Sequence, residues 1–100
     1  MITEDIEITK KIFEIVHPAI DEDYESFEFA AFVREGYLET KLWITAAGIR
    51  SVVINKDINY AIVCDLIDDL KENGLKRGDD WKAFIMTYTY GGQVKVKFDY

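Results

Sequence analysis

Residues 57–72, DINYAIVCDLIDDLKE, carry a helical period between two stretches that alternate like strands. Ile62, Val63, Leu66, Ile67 and Leu70 recur at intervals of three and four, so at about 100° per residue they share one face. Asp65, Asp68, Asp69 and Glu72 follow the same spacing on the opposite face. The stretch therefore predicts an amphipathic helix over Asp57–Glu72. One side suits burial against a sheet, and the other presents four carboxylates in a row. Asn55 or Asp57 is the expected N-cap, accepting from free backbone N–H groups. Gly74 is the expected left-handed stop. The carboxylates oppose the negative end of the helix macrodipole. They also repel one another at i,i+3 and i,i+4, where mixed signs would gain about 0.2–0.5 kcal/mol per pair. Only Lys71 compensates locally.

Before this helix the chain reads as one helix and three strands. Ile2 to about Ile20 is the first helix, with Thr3 as N-cap and Glu4 and Asp5 in the first turn, where negative charge is favoured. Ile8, Ile12, Ile15, Val16 and Ala19 form its apolar stripe, widened by Phe13 and Ile20. Pro18 should end or kink it. His17, the single histidine, reads as a solvated or capping group at that end. Asp21-Glu22-Asp23-Tyr24-Glu25 is a solvated acidic connection. It lacks the alternating ligands and the glycine of a calcium loop.

Ser26–Glu35 sets Phe27, Phe29, Ala31 and Val33 against Glu28, Ala30 and Phe32. Tyr37–Thr45 sets Leu38, Thr40, Leu42 and Ile44 against Glu39, Lys41 and Trp43. Glu35-Gly36 between them signals a tight hairpin. Ala47-Gly48 then breaks the pattern before a third strand, Ile49–Ile54. After the acidic helix, residues 75–80 read as a loop. Trp81–Tyr90 and Gln93–Tyr100 read as a hairpin around Gly91-Gly92. A two-residue turn there pairs Tyr90 with Gln93. It places Ala83, Ile85, Thr87, Val94, Val96 and Phe98 on the core face, and Phe84, Met86, Tyr88 and Tyr90 outside with Lys95, Lys97 and Asp99. A slip of one residue would exchange those faces. The expected fold is α+β in the order α-β-β-β-α-β-β, a mainly antiparallel five-stranded sheet with two helices on one face, in a single domain spanning residues 1–100.

The chain has 100 residues, 49% hydrophobic and 14% aromatic, enough for a core without disulfides or metal. Its one cysteine, Cys64, fits a reducing cytoplasm. No run reaches the roughly 18–20 apolar residues of a membrane span. A net charge of −7 disfavours nucleic acid as direct ligand and favours a basic protein partner. No CxxC, paired histidines or HExxH indicates a metal, and no phosphate-binding glycine loop indicates a cofactor. With one doubtful histidine there is no nucleophilic triad. The expected protein is not an enzyme. Asp65, Asp68, Asp69 and Glu72 are its candidate partner contacts, flanked by Asp79 and Asp80. Trp43, Tyr88 and Tyr90 are candidate apolar anchors.

The two ends of the chain carry a resemblance. The first helix closes in IFEIVHPAI before an acidic turn and an aromatic strand. The last residues run DLIDDLKENGLKRGDDWKAFIMTYTYGGQVKVKFDY. A helix, a polar loop, a tryptophan, a glycine turn and a basic-hydrophobic strand ending in Phe-Asp-Tyr resembles the YezG-like family of bacterial immunity proteins. Pro18, Trp81, Gly92, Phe98, Asp99 and Tyr100 are the matching positions. The middle, residues 36–55, departs from that layout by being short. The resemblance implies a cytoplasmic antitoxin that binds and neutralises a cognate toxin domain, often a nuclease, in competition between bacteria. The alternative is an acidic, non-catalytic adaptor or regulatory module that binds a basic housekeeping protein.

Overall fold

The computed structural model describes residues 3–20, 23–53 and 57–100. In chain order these form α1 (Thr3–Ala19), β1 (Ser26–Arg34), β2 (Tyr37–Ala46), β3 (Ile49–Val52), α2 (Tyr60–Lys76), β4 (Ala83–Thr89) and β5 (Val94–Asp99). That is the α-β-β-β-α-β-β order expected of this sequence, and every strand pair is antiparallel, so the fold is α+β. The contacts divide into two units: the two helices with the segment reaching Trp81, and the five strands. Ile2, the acidic pair Asp21-Glu22, Ile54 and the candidate cap Asn55 lie outside the described residues.

The sheet has the order β3-β2-β1-β4-β5. Its central strand, β1, pairs with β2 across the two-residue Glu35-Gly36 turn, with Arg34 opposite Tyr37. Gly36 supplies a φ of +82° there. β2 and β3 join through Ala47 and Gly48, both at positive φ (52° and 76°), as a type I′ hairpin requires. Ala47 holds a conformation that costs a residue with a Cβ about 1 kcal/mol. Residues opposite one another share a face. Phe27, Phe29 and Ala31 of β1 therefore line up with Ile44, Leu42 and Thr40 of β2 and with Tyr88, Met86 and Phe84 of β4. This face is the buried one: Phe29, Ala31, Phe84 and Met86 have no exposed surface.

The last hairpin differs from the sequence expectation by one residue. Tyr88 pairs with Val94 and Phe84 with Phe98, so Tyr90 is not opposite Gln93. Gly91 takes φ +81° and the Gly92 N–H donates to the Thr89 carbonyl at 2.8 Å, which makes Tyr90-Gly91-Gly92 a three-residue loop. The slip moves Phe84, Met86 and Tyr88 onto the apolar face with Val94, Val96 and Phe98. Ala83, Ile85 and Thr87 join Lys95, Lys97 and Asp99 on the other. Trp81 also leaves the strand, which opens at Ala83.

In the helical unit α1 ends at Ala19, one residue beyond Pro18. Thr3 is its first helical residue rather than its cap. Its buried positions are Asp5, Thr9, Ile12 and Val16, so the inward stripe becomes polar toward the N-terminus. Asp5 is 1% exposed. Its carboxylate accepts from Arg77 Nη2 at 2.8 Å and from Asn73 Nδ2 at 3.2 Å, joining the start of α1 to the end of α2. The Thr9 hydroxyl donates back to the Ile6 carbonyl at 2.8 Å.

Helix α2 starts later and runs further than the pattern predicts. Asn59, not Asn55 or Asp57, caps it, accepting from the Ile62 N–H at 3.3 Å. Gly74 does not stop it. The stop is Gly78, at φ +77°. The Asp79 N–H reaches the Gly74 carbonyl and the Gly78 N–H reaches the Leu75 carbonyl, which is a Schellman closure. Gly74 lies inside the helix for a different reason. A Cβ there would fall 2.8 Å from the Asp79 carbonyl oxygen and 2.9 Å from Trp81 Nε1. Val63, Ile67 and Leu70 are buried as expected, Leu66 is half-buried and Ile62 is exposed.

Two outcomes follow for stability, both read by urea unfolding. Gly74→Ala should destabilise by about 2 kcal/mol, although alanine gains about 1 kcal/mol in an open helix, because the close approach of Trp81 and the Asp79 backbone must give way. A stabilised variant would show that the approach relaxes freely. Arg77→Ala should cost about 3 kcal/mol, more than Asp5→Ala, because the first strands a buried carboxylate while the second leaves a half-solvated guanidinium. Equal costs would mean that the Asp5 pocket admits water.

Candidate functional site

Asp65, Asp68, Asp69 and Glu72 all lie exposed along α2, opposite Val63, Ile67 and Leu70. The spacing brings together four like-charge pairs: 65 with 68, 65 with 69, 68 with 72 and 69 with 72. Among the described residues no basic group lies within salt-bridge distance of any of the four. Lys71, which the pattern offers as local compensation, is drawn elsewhere. Its Nζ pairs with Asp80 Oδ1 at 2.5 Å, donates to the Trp81 carbonyl and lies 5.2 Å from the centre of the Trp81 ring. The ammonium thus serves the turn after the helix and leaves the stripe one-signed.

Cys64 reports the field of that stripe. Burial pushes its thiol up from 9.0, and Asp68 and then Asp65 push it further. Desolvation and neighbouring negative charge both penalise the thiolate, so the two causes reinforce each other.

The structure separates the remaining candidates. Asp79 is half-buried and its backbone closes α2, while the Asp80 carboxylate is engaged by Lys71. Trp43 and Tyr88 lie on opposite faces of the sheet, by the registers Glu28 with Trp43 and Phe27 with Tyr88. Arg50 lies 4.7 Å over the Trp43 ring. Tyr88 packs on Phe27, and its hydroxyl accepts from the Gly91 N–H at 3.2 Å. Tyr90, 68% exposed, meets Tyr24 edge-on at 5.9 Å and Tyr88 at 6.4 Å. Burial pushes the Tyr24 phenol up to about 12, with Tyr88 and Tyr90 adding to the rise. The three proposed aromatic anchors therefore do not form one surface. His17 stacks on Phe13 at 5.0 Å, one turn earlier in α1.

Among the described residues no three His, Cys, Asp or Glu side chains converge as a metal set, and no helix is long and apolar enough to cross a membrane. No family model matches the chain, and no curated protein matches it.

The pH dependence of Cys64 tests the electrostatic description. A raised thiol pKa keeps Cys64 protonated in the fold above the pH at which the unfolded thiol ionises. Its contribution to stability is therefore complete below about 9.0 and falls away as pH rises through the higher folded value. Alkylation by iodoacetamide should accelerate only above the ordinary thiol range. Asp65→Asn with Asp68→Asn should move that profile down part of the way, because burial is the larger cause. An unmoved profile would show that solvent screens the stripe completely.

Proposed function

We propose that this chain is an antitoxin of the immunity type, a non-catalytic cytoplasmic protein that binds a basic toxin domain and blocks it stoichiometrically. The observation that carries the reading is the uncompensated row Asp65, Asp68, Asp69 and Glu72. Four carboxylates on one exposed face raise the free energy of the isolated helix through four repulsive pairs. A partner supplying Lys or Arg removes that cost on docking. A nuclease fits that description, because it needs a basic groove for its phosphate backbone. Carboxylates spaced along one helix face can stand where phosphates would. The resemblance of the chain's two ends to immunity proteins points the same way. Asp79 and Asp80 have intrachain roles, so the four helix carboxylates carry the proposal, with Tyr90 as the exposed aromatic.

The test is Asp68→Lys combined with Asp69→Lys. All four repulsive pairs become opposite-sign pairs. The isolated protein should gain about 1 kcal/mol in stability. Its complex with the basic toxin recovered from the native organism by pull-down should weaken by at least tenfold, since mispaired interface charges cost about 2–5 kcal/mol. Unchanged affinity would remove the α2 stripe from the interface. Recovery of a basic housekeeping protein in place of a toxin would favour the adaptor function.

A further inference from the structure

The polar face of the sheet holds a second site, which does not rest on the toxin-binding reading. The registers set two adjacent rows on this face. Arg50, Thr45, Ser26 and Thr89 lie opposite one another across β3, β2, β1 and β4. Beside them run Trp43, Glu28 and Thr87. Small hydroxyl residues beside the Trp43–Arg50 pair leave a depression of about 170 Å³, lined by these side chains and the Phe27 and Tyr88 positions. Arg50 passes over the Trp43 ring at 4.7 Å and pairs with Glu28 Oε2 at 3.0 Å, so one wall is an aromatic plane stacked with a guanidinium. Among the described residues, the hydroxyls of Ser26, Thr45, Thr87 and Thr89 and the indole N–H of Trp43 make no hydrogen bond within the chain.

We propose that this depression binds a neutral sugar ring. Four constraints select that class. Glu28 and Arg50 neutralise each other, so the site holds no net charge to select an ion. Each hydroxyl both donates and accepts, which suits a ligand made of hydroxyls rather than one of pure donors or acceptors. The Trp43 ring, stacked with the Arg50 guanidinium, forms a flat wall against which a ring can lie, while the hydroxyl floor takes its polar edge. The volume is below the roughly 300 Å³ at which drug-sized pockets begin, so the site takes one ring, not two.

The experiment is a two-dimensional 1H–15N titration of the full chain with D-glucose, D-galactose and N-acetyl-D-glucosamine, with inorganic phosphate as the charged comparator. The two tryptophans give an internal control, because Trp81 is 1% exposed in the helical unit. At least one of the three sugars should move the Trp43 indole signal and the Ser26, Thr45 and Thr87 amides saturably in the millimolar range, leaving the Trp81 indole still. Thr87→Val, which keeps shape and removes one hydroxyl, should weaken that binding about three- to tenfold, in line with one neutral hydrogen bond. Ser26→Ala is the second variant and should act in the same direction. No saturable shift with any sugar, equal binding by both variants, or saturation by phosphate alone would each overturn the assignment.

Discussion

Phe27, Phe29 and Ala31 are the fixed points of the sheet. They sit on its central strand and are buried on one face, so neither neighbour can slip without carrying polar groups inward. β2 and β4 are held in register from both sides of β1. Those registers decide which side chains of every other strand share a surface. Trp43 and Tyr88 are separated for that reason, and the row of small hydroxyls on the polar face follows from the same pairing. A chemical surface on this protein is a consequence of strand order before it is a consequence of composition.

The helical unit depends on a different constraint. Its helices meet through a buried carboxylate held by Arg77 and Asn73. A buried ion pair of this kind adds little net stability but penalises arrangements that leave the carboxylate unpaired. It sets the start of α1 at the last turn of α2, where the Schellman closure and the Trp81 approach to Gly74 are also concentrated. Lys71 is recruited to this end by Asp80 and Trp81. The one-signed stripe is thus the counterpart of a well-satisfied helix terminus. The one cation the pattern offers to balance it is engaged instead by the Asp80 carboxylate, the Trp81 carbonyl and the Trp81 ring.

Local signals were legible in the sequence where one residue type decides the geometry. Glu35-Gly36 specifies a two-residue hairpin, and the alternation in Ser26–Arg34 assigns both faces of β1 correctly. The period of α2 identifies Val63, Ile67 and Leu70 as buried but also includes Ile62, which is exposed, and Leu66, which is half-buried. Where two neighbouring glycines compete, the sequence gives no means of choosing. Gly74 and Gly78 both suit a helix stop, and the close approach of the Asp79 carbonyl and the Trp81 ring, five and seven residues further on, accounts for a glycine inside the helix at 74. Gly91-Gly92 likewise fits a two- or a three-residue loop, and the difference exchanges both faces of β4. The Asp5 partners lie 68 and 72 residues away, beyond any periodic signal. The Thr45–Ser26–Thr89 row needed the strand order, which no local pattern contains.

The two candidate surfaces differ in how their charges are balanced, and this separates the kinds of ligand they suit. On α2 the carboxylates face solvent with no cation among the described residues in salt-bridge reach, so their field extends outward over roughly the 8 Å Debye length of physiological salt. Such a field raises encounter rates with a basic macromolecule and discriminates by sign. On the sheet, Glu28 and Arg50 close their field within 3.0 Å, leaving only short-range hydrogen bonds and an aromatic plane. That surface has no reach and discriminates by shape and hydroxyl pattern. Steering needs an unbalanced surface and small neutral ligands need a balanced one, so a single patch would serve both poorly. A chain with seven surplus negative charges thus pairs the charges around one depression and leaves those along α2 unpaired by any described cation.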